Sequence, residues 1–191
     1  MSVEEINLFD ENLPVFNSAN VETKHKMMTG QSLDQPHQDA WTSVEYMAER
    51  FLSADMYVIT SPMWNLSIPY PLKHYIDVII QPGYLFRYDC GQVVPLAVGK
   101  KMVCITSRGG DYSENSPCHA YDFQEPYLRA IFGFVGIYDM HFINADQMDM
   151  GLELRKTVTT AKIAEARNLA ANHEWQVAEE NISAMMLEAV A

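Results

Sequence analysis

The chain has 191 residues, 48% of them hydrophobic and 20% charged, which fits one globular domain and excludes a disordered or fibrous class. Its net charge of −12 repels nucleic acid and anionic lipid, so neither is expected as a partner. No apolar run approaches the length needed to span a bilayer, and the acidic start "MSVEEINLFDENLP" lacks signal-peptide order, which predicts a cytoplasmic protein. In chain order, "EEINLFD" alternates Ile6 and Leu8 with polar residues and predicts a short strand. The segment from Glu11 to Asp39 is polar, with Pro14, Gly30 and Pro36, and reads as a mobile segment over about 11–39.

Trp41, Val44, Met47, Ala48, Phe51 and Leu52 then recur at helical spacing. "MYVIT" (56–60) is a compact β-rich run, as in a buried parallel strand. After "SPMWNLSIP", the positions Leu72, Tyr75, Ile76 and Ile79 form the stripe of a helix that Pro71 starts and Pro82-Gly83 ends. "YLFRYDCGQVVPLAVGKK" reads as an excursion before the strand "KMVCIT" (101–106), which runs into "SRGGDYSENSP". A helix is predicted over 121–134, with Phe123, Tyr127, Leu128, Ile131 and Phe132 on its apolar side, then the strand "YDMHFIN" (138–144). From Gly151 the chain is helical: Leu154, Val158, Ala161 and Ala164 form one stripe. Trp175, Ala178, Ile182, Met185, Met186 and Ala189 form another, a C-terminal helical extension over about 172–191.

Strands alternating with helices predict one domain over 1–191, built on an open parallel sheet covered on both faces. Ligands of such sheets sit outside the carboxyl ends of the strands, where "SPMWN" and "SRGG" both fall. In the first, Pro62 stiffens the corner, leaving nearby backbone N–H groups to face a ligand. Met63 and Trp64 offer soft, flat surface and Asn65 an amide, or else Met63 and Trp64 merely plug the end of the core. In the second, Gly109 and Gly110 permit close backbone approach and positive φ, beside the donors of Ser107 and Arg108.

The three cysteines show no metal or redox spacing; Cys104, inside "MVCIT", reads as a small buried hydrophobe, and Cys118 has no neighbour that would activate it. The six histidines show no ligand spacing, so no metal is expected; His74 is placed on the exposed side of its helix.

"SPMWNLSIPYPLKHYID", "LFRY", "GKKMVCITSRGG" and "YLRAIFGFVGI" together resemble the FMN-dependent NADH-azoreductase family, the flavodoxin-like quinone and azo-dye reductases. The similarity runs to about Arg167, and Trp64 stands where that family usually has tyrosine. The resemblance implies a flavodoxin-like α/β fold, an open parallel sheet with the first strand missing. The family's first strand, serine-containing phosphate loop and first helix would precede Met1, and "EEINLFD" would match the second strand. It implies that Met63, Trp64, Asn65 and Leu66 line the flavin ring of FMN, with Ser107, Arg108, Gly109 and Gly110 along its other edge. Corner N–H groups would face the N1/C2=O or N5 edge. NADH would donate a hydride and a quinone or azo compound accept it in ping-pong order, the cofactor carrying the chemistry with no catalytic side chain. Phe86, Arg87 and Tyr112 become candidate substrate contacts, Phe86 and Tyr88 could instead meet a dimer partner, and a homodimer is implied. Two other classes are set beside this one: a flavodoxin-like electron carrier, and a flavin-free structural or regulatory relic.

Overall fold

The computed structural model describes residues 2–172, and the expected extension beyond Asn172 lies outside them. Contacts gather in two compact units, Met1–Ala54 with Tyr70–Ala97, and Asp55–Pro69 with the chain from Val98 onward.

The first unit holds three helices, α1 (Ser18–Met28), α2 (Gln35–Leu52) and α3 (Tyr70–Ile79), and a hairpin of β2 (Phe86–Asp89) and β3 (Gln92–Pro95). The segment read as mobile and irregular therefore contains α1 and the start of α2. No apolar stripe announces α1. It is held by a cap and by polar ties to α2: Asn17 and Asn20 form a reciprocal cap, the buried Asn20 donates to the Ala40 carbonyl over 2.9 Å, and Lys26 and Glu22 reach the His37 ring at 3.0 and 3.4 Å. Asp34 caps α2, with Pro36 in its first turn, so that helix begins six residues before its apolar stripe. Trp41, Val44, Met47, Ala48 and Phe51 are buried as their spacing predicts, alongside Leu72, Ile76, Val78 and Ile79 of α3. His74 departs from expectation: it is half-buried, its Nε2 2.9 Å from the Pro14 carbonyl.

"EEINLFD" forms no strand. Its alternation is real, but a strand also needs a partner edge, and none among the described residues pairs with it. Arg50 fixes the segment by its carboxylates instead, with Nη2 2.6 Å from Glu4 and Nη1 3.1 Å from Glu11.

The second unit is built on three parallel strands in the order β1 (Met56–Pro62), β4 (Lys101–Ser107), β5 (Asp139–Ala145). Central β4 is the most buried, through Met102, Val103, Cys104 and Thr106. Burial pushes the Cys104 thiol up to about 12, as its inert setting predicts. β1 is less buried than its β-rich sequence suggests, with Val58 57% exposed, because only one of its edges is paired among the described residues.

Helix α4 (Glu125–Phe134) starts four residues later than predicted, after a single 3-10 turn at His119–Tyr121. Asp122 sets that start: its Oδ1 accepts the N–H groups of Gln124 (2.9 Å) and Glu125 (3.2 Å), leaving Phe123 outside the helix and exposed. Leu128 and Phe132 anchor α4. The last described helix, α5 (Leu152–Asn172), packs along β5 yet buries no side chain fully. Of its predicted stripe, Leu154 and Val158 are half-buried while Ala161 and Ala164 are exposed.

Candidate ligand corner at the carboxyl ends of the strands

All eight residues expected at the cofactor belong to the second unit, at the carboxyl ends of the adjacent strands β1 and β4. The two loops are joined directly: the Met63 N–H donates to the Ser107 carbonyl over 2.8 Å.

The β1 loop is a tight turn, which its sequence did not announce. Trp64 and Ser67 exchange backbone bonds of 2.9 and 3.0 Å around Asn65 (φ 48°) and Leu66 (φ 71°). Two successive residues at positive φ make a hairpin-type turn; asparagine tolerates that region well, and leucine adopts it only at a cost of about 1–2 kcal/mol. The turn is held from outside by the Phe123 N–H, which donates to the Leu66 carbonyl over 3.0 Å. Strain kept in place by surrounding bonds is a mark of a functional loop.

This geometry changes which amides face outward. The N–H groups of Met63 and Trp64 are taken by Ser107 and Ser67, so neither serves a ligand. Those of Asn65 and Leu66 have no protein partner among the described residues, and both side chains are exposed. Trp64, 43% exposed, supplies the flat apolar surface, with Met63 half-buried behind it.

The β4 loop differs from expectation in two ways. Arg108 does not point at a ligand: its side chain is buried, 2% exposed, within a carboxylate cluster. Nη1 lies 2.9 Å from Asp122 and 3.7 Å from Asp146, Nη2 lies 3.6 Å from Glu125, and Nε donates to Gln124 Oε1 over 3.3 Å. A buried cation with several acceptors locks structure, and removing it would strand the carboxylates. Asp146 carries the cost of that burial: desolvation raises its pKa, against the lowering effect of Arg108.

Neither Gly109 nor Gly110 sits at positive φ, and only at Gly109 does a side chain stand too close for a Cβ. A Cβ on Gly109 would stand 2.6 Å from Asp149 Oδ2, and one on Gly110 would stand 3.4 Å from the Tyr112 ring. Both glycine carbonyls are occupied, receiving the N–H groups of Asp149 (3.1 Å) and Gln147 (2.7 Å). The Arg108 N–H donates to Ala145, so the β4 and β5 loops are zipped together as well.

The candidate substrate contacts separate. Tyr112 is half-buried beside Gly110 in the same unit. Phe86 and Arg87 lie on β2 in the other unit, where Phe86 is buried with Tyr88 packed edge-on at 5.6 Å and Arg87 is exposed. Asp122, Gln124 and Asp146 were not anticipated. Asp122-x-x-Glu125 ahead of an apolar run is a helix-start pattern that could have revealed the first of them. Among the described residues no group of three His, Cys, Asp or Glu side chains could hold a metal ion, and no helix is long and apolar enough to cross a membrane.

An open parallel α/β sheet with an outward-facing loop pair at its carboxyl edge defines a class of ligand-binding α/β domain. The family model described as flavodoxin-like fold matches residues 1–170, and the chain belongs to that family. It is 48% identical over 121 residues to an FMN-dependent NADH:quinone oxidoreductase of Nostoc punctiforme, covering 63% of this chain and 57% of the relative's own length. It is 33% identical over 171 residues to FMN-dependent NADH:quinone oxidoreductase 3 of Pseudomonas fluorescens, covering 88% of this chain and 79% of that one. Among solved structures, an azoreductase from Bacillus anthracis superposes with a TM-score of 0.80 at 28% identity, over 90% of this chain and 82% of its own. An FMN-dependent NADH-azoreductase of Bacillus anthracis in complex with FMN gives 0.73 at 29% identity, over 86% and 80%.

Proposed function

We propose that this chain is an FMN-dependent NADH:quinone oxidoreductase of the azoreductase kind, passing electrons from NADH to a small quinone or azo compound. The observation that supports it most is the Asn65–Leu66 turn, whose two outward amides stand beside the exposed Trp64 ring, in a chain with relatives of that name. The flavin ring has a flat apolar face and an edge of carbonyl and nitrogen acceptors. Trp64 and Leu66 match the face; the N–H groups of Asn65 and Leu66 and the Asn65 carboxamide match the edge. These residues fit the ring of FMN.

When bound, FMN supplies reversible acceptance of a hydride. The residues of this chain orient the ring, hold fixed N–H donors where negative charge develops, and keep water from one face. Arg108 acts indirectly, by locking the loops behind the site. Ser107 and the Gly109–Gly110 backbone border the ring, and Tyr112 faces the substrate. A homodimer in the cytoplasm, with neither nucleic acid nor membrane as partner, completes the proposal and agrees with the charge of −12.

The test is optical. Protein supplied with FMN should bind it, lose its visible flavin bands on addition of NADH, and regain them with menadione. A protein that takes up no FMN, or whose flavin NADH leaves oxidised, refutes the proposal.

A further inference from the structure

Gln124 is fully buried at the start of α4, and its side chain joins two loops. Its Nε2 donates to the Pro62 carbonyl over 2.9 Å, and its Oε1 accepts from Arg108 Nε over 3.3 Å. Pro62 directly precedes Met63, at the root of the turn carrying Asn65 and Leu66. Arg108 is fixed in its turn by Asp122 and by its own N–H on Ala145. The point from which the Gln124 side chain departs is also fixed, since Asp122 Oδ1 accepts its backbone N–H.

We propose that Gln124 is a positioning residue: its carboxamide sets the corner turn against the Arg108 loop, and thereby places the Asn65 and Leu66 amides at the flavin edge. This rests on the proposed FMN site. The chemistry is specific to a carboxamide. Pro62 presents an acceptor and Arg108 a donor, so one side chain must donate at one end and accept at the other. Glutamate satisfies Arg108 and sets an oxygen against an oxygen at Pro62. Leucine satisfies neither. Ser61 Oγ also donates to the Pro62 carbonyl, over 3.0 Å, so that oxygen keeps a partner when Gln124 is replaced. Replacement therefore moves the corner more than it destabilises the fold.

The experiment compares Gln124→Glu and Gln124→Leu with the unaltered full chain at pH 8, far above the ordinary carboxyl range. Amide hydrogen exchange without FMN is followed in peptides covering 61–68 and 102–106. Exchange at 61–68 should rise about tenfold in both variants, the loss of one hydrogen bond, while 102–106 stays at the unaltered level. FMN affinity, read by quenching of flavin fluorescence, should weaken by about the same factor. A Gln124 that served only as an acceptor for Arg108 Nε would be replaced by Glu without effect on the corner. Unaltered exchange at 61–68 in Gln124→Glu, or an equal rise in both peptides, overturns the assignment. If Gln124→Leu fails to fold, Gln124→Glu decides alone. If the unaltered protein binds no FMN, the proposed function falls, and the exchange comparison still decides the role of Gln124.

Discussion

Met63 donates its N–H to the carbonyl of Ser107 across 2.8 Å, extending the β1–β4 ladder past its last paired residues, Pro62 and Ser107. The amide that the sequence offered to a ligand is thus part of the sheet. Amides without a protein partner among the described residues come two positions on, at Asn65 and Leu66, where the backbone turns through positive φ.

Asn65 has two separable contributions, one from its backbone and one from its carboxamide. Asn65→Gly keeps the turn and removes the carboxamide; Asn65→Ala removes it and strains the backbone as well. FMN affinity should fall about tenfold in both, the worth of one hydrogen bond to the ring edge. Only Asn65→Ala should also lower the thermal midpoint, by the ~1 kcal/mol that a Cβ without a local hydrogen bond costs at positive φ. Fluorescence titration and thermal unfolding read the two effects apart.

Gly109→Ala tests the close approach of Asp149. Its Cβ would press on a carboxylate oxygen at the tip of an exposed side chain that can swing aside, so the loss by urea unfolding should stay below about 1 kcal/mol. Asp149 is exposed, so its side chain can be removed cheaply. The double variant Gly109→Ala/Asp149→Ala should recover most of the loss. Purely additive losses would show that backbone conformation, and not the carboxylate, demands glycine.

Arg108→Leu leaves Asp122, Glu125 and Asp146 around a guanidinium that is no longer there, and should cost about 3–5 kcal/mol at pH 7.5. The pH dependence follows from linkage. Carboxyls without their cation have folded pKa values raised above the unfolded ones, so they favour the folded state as pH falls through the folded values. The gap between variant and unaltered protein should therefore narrow toward pH 5. A gap constant from pH 8 to 5 would mean the arginine contributes through packing alone.

Cys104 should be silent to thiol reagents in the native protein at pH 8, while the exposed Cys90 and Cys118 react. Denaturation should release the third thiol. Because the Cys104 pKa is raised from 9.0 to about 12, its contribution to stability is complete below pH 9 and lost as pH rises toward 12. Cys104→Ala should flatten that part of the alkaline unfolding profile.

Much of this was visible in the sequence, and what escaped it escaped for physical reasons. β4 and β5 were legible because short β-rich runs lie between turn signals, and α2 and α3 because their apolar residues share a face. Helix α1 has no such face; it is held by polar groups, Asn17, Asn20 on the carbonyl of Ala40, and Glu22 and Lys26 on His37, which a periodicity does not detect. "EEINLFD" shows the converse, since alternation without a neighbouring edge does not make a strand. At the site, the positions of the two loops were legible and their chemistry was not. Arg108 resembles a ligand donor until Asp122, Gln124, Glu125 and Asp146, from two other segments, are seen around it.

The bond from Met63 to Ser107 also bears on how a ligand arrives. The turn is braced at Met63, at Leu66 and at Pro62, so its donors stand in place before anything binds. A planar ligand then meets a finished surface instead of drawing one together. If FMN is that ligand, its capture should be a single step whose rate rises in proportion to concentration, as stopped-flow quenching of flavin fluorescence would read.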